Sequence, residues 1–147
     1  MNTIRLMTGQ ARRAAVLYSA ASISLGFSGG QGLAQDTPPT AHKGLQVEQL
    51  GFVPADSMTA QVGLNGHILL LRRITIEPGG QIAKHSAKSV PGVVYMESGA
   101  WTEGRADGET VHGVGETFIE DADTVHWFFN RGKEPASALV CDIKPAK

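Results

Sequence analysis

Gly79-Gly-Gln-Ile-Ala-Lys-His85-Ser-Ala87-Lys-Ser-Val-Pro-Gly92-Val-Val-Tyr-Met-Glu-Ser-Gly99 and Gly115-Glu-Thr-Phe-Ile-Glu-Asp121-Ala-Asp123-Thr-Val-His126-Trp-Phe-Phe-Asn130 are the stretches on which the fold turns. Each opens on a glycine and carries one histidine among short apolar runs. From Gly44 onward the whole chain has this texture. Candidate strands are Leu45 to Phe52, Thr59 to Val62, His67 to Glu77, Gln81 to His85, Val93 to Ser98, Ala100 to Glu103, Glu109 to His112, Glu116 to Ile119, Thr124 to Phe129 and Ala136 to Ile143. Several alternate apolar and polar residues with period two. Turn signals recur about every 8–12 residues, the rhythm of an all-β sandwich or barrel. Pro78-Gly79-Gly80, Ala106-Asp-Gly108 and Asn130-Arg-Gly132 mark turns. No later stretch sustains helical spacing, so the expectation is one antiparallel β domain of roughly a hundred residues.

The spacings within these stretches resemble the two signature motifs of the cupin superfamily. The first motif runs Gly, His, His, Glu, Gly; Gly79, His85 and Gly99 stand at its spacings, while Ala87 and Gly92 occupy the second His and Glu positions. In the second, Gly115, His126 and Asn130 match, and Asp121 and Asp123 replace a Pro and a Gly. The resemblance spans about residues 68 to 143. It implies a double-stranded β-helix, a jelly-roll-like barrel in which three His and one Glu hold Fe, Mn, Ni, Zn or another divalent ion.

Carried over residue by residue, the resemblance leaves two metal ligands, His85 and His126. Ala and Gly cannot ligate through a side chain, so a two-His site needs further donors to hold an ion. Glu97, Glu116, Glu120, Asp121 and His112 are the candidates. Strand parity counts against Glu97, because Gly92, Val94 and Met96 share the inward face. The same parity puts Phe128 inward with His126, and Arg72 on the face of Ile68, Leu70, Ile74 and Ile76. His85, His126, Arg72, Phe128 and Met96 are therefore the expected ligand-binding residues. An inward Arg72 needs an anionic partner, which a carboxylate-bearing ligand would supply; the plainer alternative has Arg72 at a barrel rim, reaching solvent by its long stem. For the aromatics and Met96, simple core packing is the competing reading.

The N-terminus has a different character. Residues 1–35 contain Arg5, Arg12 and Arg13 but no acidic residue, then a short apolar run, Ala14 to Phe27, and a small-residue stretch ending at Ala34. These are the parts of a secretory signal peptide, and Arg12-Arg13 also fits twin-arginine export. The expected organisation is a signal peptide over 1–34, a flexible mature N-terminus over 35–43 and a cupin domain over 44–147, in a periplasmic or secreted protein. Losing three arginines from 13 basic and 14 acidic residues leaves a formal charge of −4. That balance argues against a nucleic-acid partner, and no basic amphipathic helix points to a membrane. Cys141 is the single cysteine, read as a buried, inert thiol.

Three functions follow. The first is an exported barrel that binds a small organic molecule, with a reduced two-His or absent metal site. The second is a metal-dependent enzyme, a dioxygenase, isomerase or lyase acting on a small substrate. The third is a non-catalytic scaffold; the resemblance implies a homodimer.

Overall fold

Hydrophobic alternation becomes strand almost everywhere in the computed structural model, which describes residues 37–146; the expected signal peptide lies outside them. Eight strands and one short helix follow in the order β1 Lys43–Val53, α1 Ala55–Val62, β2 His67–Ser86, β3 Gly92–Ser98, β4 Ala100–Arg105, β5 Gly108–Gly113, β6 Thr117–Glu120, β7 Val125–Phe129 and β8 Ala136–Pro145. All pairings among them are antiparallel. The sheet runs β5-β4-β7-β2-β8-β3-β6, with β1 added alongside β2, and it curls into a nearly closed barrel. No helix among the described residues is long and apolar enough to cross a membrane.

Two expectations about elements are corrected. Thr59 to Val62, expected as a strand, lies in α1. The helix stops because Gly63 adopts a left-handed conformation at φ 74°, and the N–H groups of Gly63 and Leu64 close onto the carbonyls of Thr59 and Met58. Pro78-Gly79-Gly80, expected as a turn between two strands, is instead a bend inside the single strand β2. Before the bend β2 pairs with β8, and after it with β7. Asn130 locks the bend: its buried amide donates to the carbonyls of Ile76 and Glu134, and its Oδ1 accepts from Gly132.

The inward faces meet in one core of Ile74, Ile76, Ile82, Val94, Met96, Trp101, Phe128, Ala136, Ala138 and Val140. The inward parity expected for Arg72 and Phe128 holds: Phe128 itself belongs to this cluster, and Ile74 and Ile76, on the same strand face as Arg72, belong to it too. Residues 37–42 lie against β2: Lys84 donates to the carbonyl of Pro39, the Gln81 amide to that of Ala41, and the Ala83 N–H to His42 Nδ1. Cys141 is only half-buried, on the opposite parity to the buried Val140 and Asp142.

Candidate metal centre and barrel cavity

Cross-strand register brings the two histidines together. His85 on β2 and His126 on β7 are directly paired, and their rings meet at 4.6 Å between centroids. Nδ1 of His85 lies 2.9 Å from the carbonyl oxygen of Ala83. Nδ1 of His126 lies 2.7 Å from Oε1 of Glu103. Both partners only accept, so each Nδ1 carries a hydrogen and each Nε2 points into the barrel. The two Nε2 atoms are 3.1 Å apart. As neutral imidazoles they would face each other lone pair to lone pair, which only a shared proton or a cation relieves.

A carboxylate completes the group. Glu120, at the end of β6, places Oε1 3.3 Å from Nε2 of His126. Ligand atoms from His85, Glu120 and His126 all lie within 4.8 Å of one another. Donors about 2.1 Å from one divalent ion, side by side in its coordination shell, are separated by roughly 3.0–3.4 Å. Both measured separations fall there, so this donor set fits a mid-series divalent metal.

Charge is organised behind the cluster. Glu103 on β4 is 3% exposed and is gripped by His126, by His112 Nε2 at 2.9 Å and by Arg105 Nε at 2.8 Å. Burial opposes its ionisation, but these three partners outweigh that and hold its carboxyl at about 2. Burial also works against charge on His126, yet the hydrogen bonds to Glu103 and Glu120 prevail and raise its pKa. His85 moves the other way: its residue is exposed at the barrel mouth, but the ring edge facing His126 is desolvated and its pKa falls. In the metal-free pair, a proton thus sits on His126 in preference to His85.

The family model described as the cupin domain matches residues 72–142. Residues 72–142 are thus a cupin domain. No curated relative matches its sequence. Among solved structures, a sugar phosphate isomerase from a cupin superfamily of Silicibacter pomeroyi is 21% identical, with TM-score 0.51 over 67% of this chain and 59% of that one. A predicted oxalate decarboxylase of Thermotoga maritima is 14% identical, with TM-score 0.54 over 73% of this chain and 93% of that one. The cupin domain of a transcriptional regulator from Enterobacter cloacae is 15% identical, with TM-score 0.52 over 71% of this chain and all of that one. At these identities the likeness establishes the fold.

Within the cupin frame, the two vacant motif positions have different fates. Ala87 is buried and forms a backbone bond to Thr124. Gly92 pairs with Glu120 across β3 and β6. A Cβ built on Gly92 would lie 3.3 Å from Glu120 Oε2, so Glu120 enters from the neighbouring strand where the motif would supply its own glutamate. Of the other recruits, Glu97 faces out against Arg73 at 2.7 Å, Glu116 accepts from the Gly113 N–H, Asp121 accepts from Thr124, and His112 serves Glu103. Glu103 went unnamed at the level of sequence, although parity with the inward Trp101 places it on the same face of β4.

Beside the cluster is a cavity of about 390 Å³, lined by His85 and Glu120 at one side, by Phe128, Ile74, Val140 and Trp101, and by Arg72 and Asp142. Phe128 and Arg72, two of the expected ligand-binding residues, both line this cavity. Met96, expected beside them, is fully buried in the core and is not among the residues lining the cavity. Arg72 finds its anionic partner within the protein, the buried carboxylate of Asp142.

Proposed function

We propose that this cupin binds a small organic molecule in its barrel, next to a divalent ion held by His85, His126 and Glu120. The observation that carries the reading is the opposed pair of Nε2 atoms, each fixed by a hydrogen bond at Nδ1 and joined by a carboxylate within 3.3 Å. Partners that orient metal-ligating imidazoles in this way are the usual support of a metal site. The cavity supports the small-molecule part, because the cluster forms one edge of a pocket with apolar walls.

Three protein donors leave coordination positions for water or a bound molecule, and Fe, Mn, Ni or Zn there would supply Lewis acidity or, for iron, oxygen activation. That open side favours the second reading, a metal-dependent enzyme of the dioxygenase, isomerase or lyase kind. In either case the chain's own residues do the same work: Glu103 holds the tautomer of His126, Ala83 that of His85, and the apolar walls exclude water. The proposal keeps the chain exported, on the character of residues 1–34; a secreted or periplasmic form beginning at Gln35 supports this, and a cytoplasmic protein retaining its first 34 residues refutes it.

Elemental analysis of the purified protein tests the metal. About one equivalent per chain is expected, lost on His126→Ala and on Glu120→Ala. Metal-free protein that takes up no divalent ion in calorimetry would sink the reading.

A further inference from the structure

Away from the histidines, the cavity wall carries a second polar feature that the metal site does not use. Asp142 on β8 has a fully buried side chain, while Arg72 on β2 keeps about a quarter of its side chain exposed (24%). They touch through Arg72 Nη2 and Asp142 Oδ2 alone. Arg72 Nε and Asp142 Oδ1 are both buried without a partner. A donor and an acceptor left unmatched in such surroundings are costly, and here both belong to charged groups. The same wall carries the apolar side chains of Ile74, Val140, Val47 and Leu45, with Glu120 as the acidic neighbour of Asp142.

We propose that this corner recognises an uncharged hydroxyl group, so that the bound molecule is a small alcohol with an apolar body. The inference rests on the cavity being a ligand site, though not on a metal being present. Through a single oxygen, a hydroxyl donates to Asp142 Oδ1 and accepts from Arg72 Nε–H at once. An ether oxygen only accepts. A carboxylate only accepts, and it meets the charges of Asp142 and Glu120. Those two residues are neighbours: the Cβ position of Gly92 is 3.2 Å from Asp142 Cβ and 3.3 Å from Glu120 Oε2. An ammonium only donates, so it leaves Arg72 Nε–H without an acceptor. Ile74, Val140, Val47 and Leu45 suit a hydrocarbon body, whose burial supplies affinity without selecting the polar group.

Four probes sharing one body separate these cases: benzyl alcohol, benzyl methyl ether, benzoate and benzylamine, titrated calorimetrically into the full chain, both chelator-treated and metal-loaded. Benzyl alcohol is expected to bind about tenfold more tightly than each of the others, the size of one hydrogen bond to a charged group. The double variant Arg72→Met/Asp142→Leu replaces the buried pair with apolar side chains, a change that such pairs commonly tolerate. It is expected to bind benzyl alcohol and the ether alike. Equal binding of alcohol and ether by the unaltered chain overturns the inference while leaving the cavity reading intact. So does a tenfold preference that survives in the double variant. Failure of all four probes overturns both, and the unaltered chain alone decides these outcomes if the double variant does not fold.

Discussion

Gly92 shows how one residue's absence of a side chain can make room for another's function. Any Cβ there would lie 3.2 Å from Asp142 Cβ, 3.2 Å from the Cys141 carbonyl and 3.3 Å from Glu120 Oε2. Backbone and a buried neighbour cannot yield readily, so the Glu120 carboxylate must move. Gly92→Ala should therefore weaken divalent-metal binding several-fold. Metal-free stability should change by less than about 1 kcal/mol, since the crowding is offset by lost freedom in the unfolded chain. Calorimetric metal titration set against chemical denaturation in chelator separates the two effects, and an unchanged metal affinity would show that Glu120 is no ligand. Glu103→Gln is the complementary test. It keeps the shape but removes the charge that orients His126, and a loss of about 10–100-fold in metal affinity is expected. The two histidines were legible in the sequence because motif spacing fixes them. Glu120 appeared only as one of several acids, because its relation to Gly92 exists across strands that are not adjacent in the chain. Glu103 was not singled out, although it shares strand parity with Trp101, because nothing in the linear sequence shows that it lies behind His126.

Among the elements, alternation located the strands because each has one face in the barrel and one outside. It failed where that logic stops. A helix of eight residues with one buried side chain, Met58, carries too little periodicity to be seen. Pro-Gly-Gly signals a change of direction, and β2 does change direction, but Asn130 from another part of the chain holds both halves together as one strand. The β4–β7 contact behind the site has an equally specific demand. Gly104 faces Trp127 across the ladder, and a Cβ on it would sit 2.1 Å from the indole Nε1 and 2.3 Å from Cε2. Trp127 is 3% exposed and cannot swing away without losing its burial. Gly104→Ala should thus cost about 3 kcal/mol or more of unfolding free energy by urea denaturation. The same push displaces Glu103, the preceding residue, so metal affinity should fall with stability. Full stability in this variant would contradict the packing.

At the scale of the molecule, the barrel is a sheet whose two end strands, β5 and β6, are not joined by a ladder. A cleft of about 620 Å³ runs there, lined by residues of β4, β5 and β6 that include Glu103, His112 and Phe118. The proposed metal site spans the barrel from the free end: Glu120 belongs to β6, His126 to β7 and His85 to β2. An ion would tie the end strand to the middle of the sheet, so amide exchange over Thr117–Glu120 should slow when metal is added. Protons compete for the same atoms, which fixes the direction of the pH dependence. In metal-free protein, the depressed Glu103 pKa of about 2 stabilises the fold above the ordinary carboxylate range, and that contribution is lost as pH falls toward 2. His126, with its raised pKa, contributes stability that is complete below the ordinary imidazole value and lost as pH rises through its folded value. His85, with a lowered pKa, contributes oppositely, costing stability as pH falls through that ordinary value. His126 thus acts above the ordinary imidazole value and His85 below it, so their joint contribution to metal-free stability should peak near that value and decline on either side, ahead of the acid loss. Metal changes this, because the proton on His126 must leave before the ion can bind. At a hundredfold excess over its dissociation constant an ion adds about 2.7 kcal/mol, roughly 10 °C in a domain of this size. The rise in melting temperature on adding one fixed concentration of divalent metal should be larger at pH 8 than at pH 6. A rise that is equal at both, or larger in acid, would mean that the ion sits elsewhere than between these imidazoles.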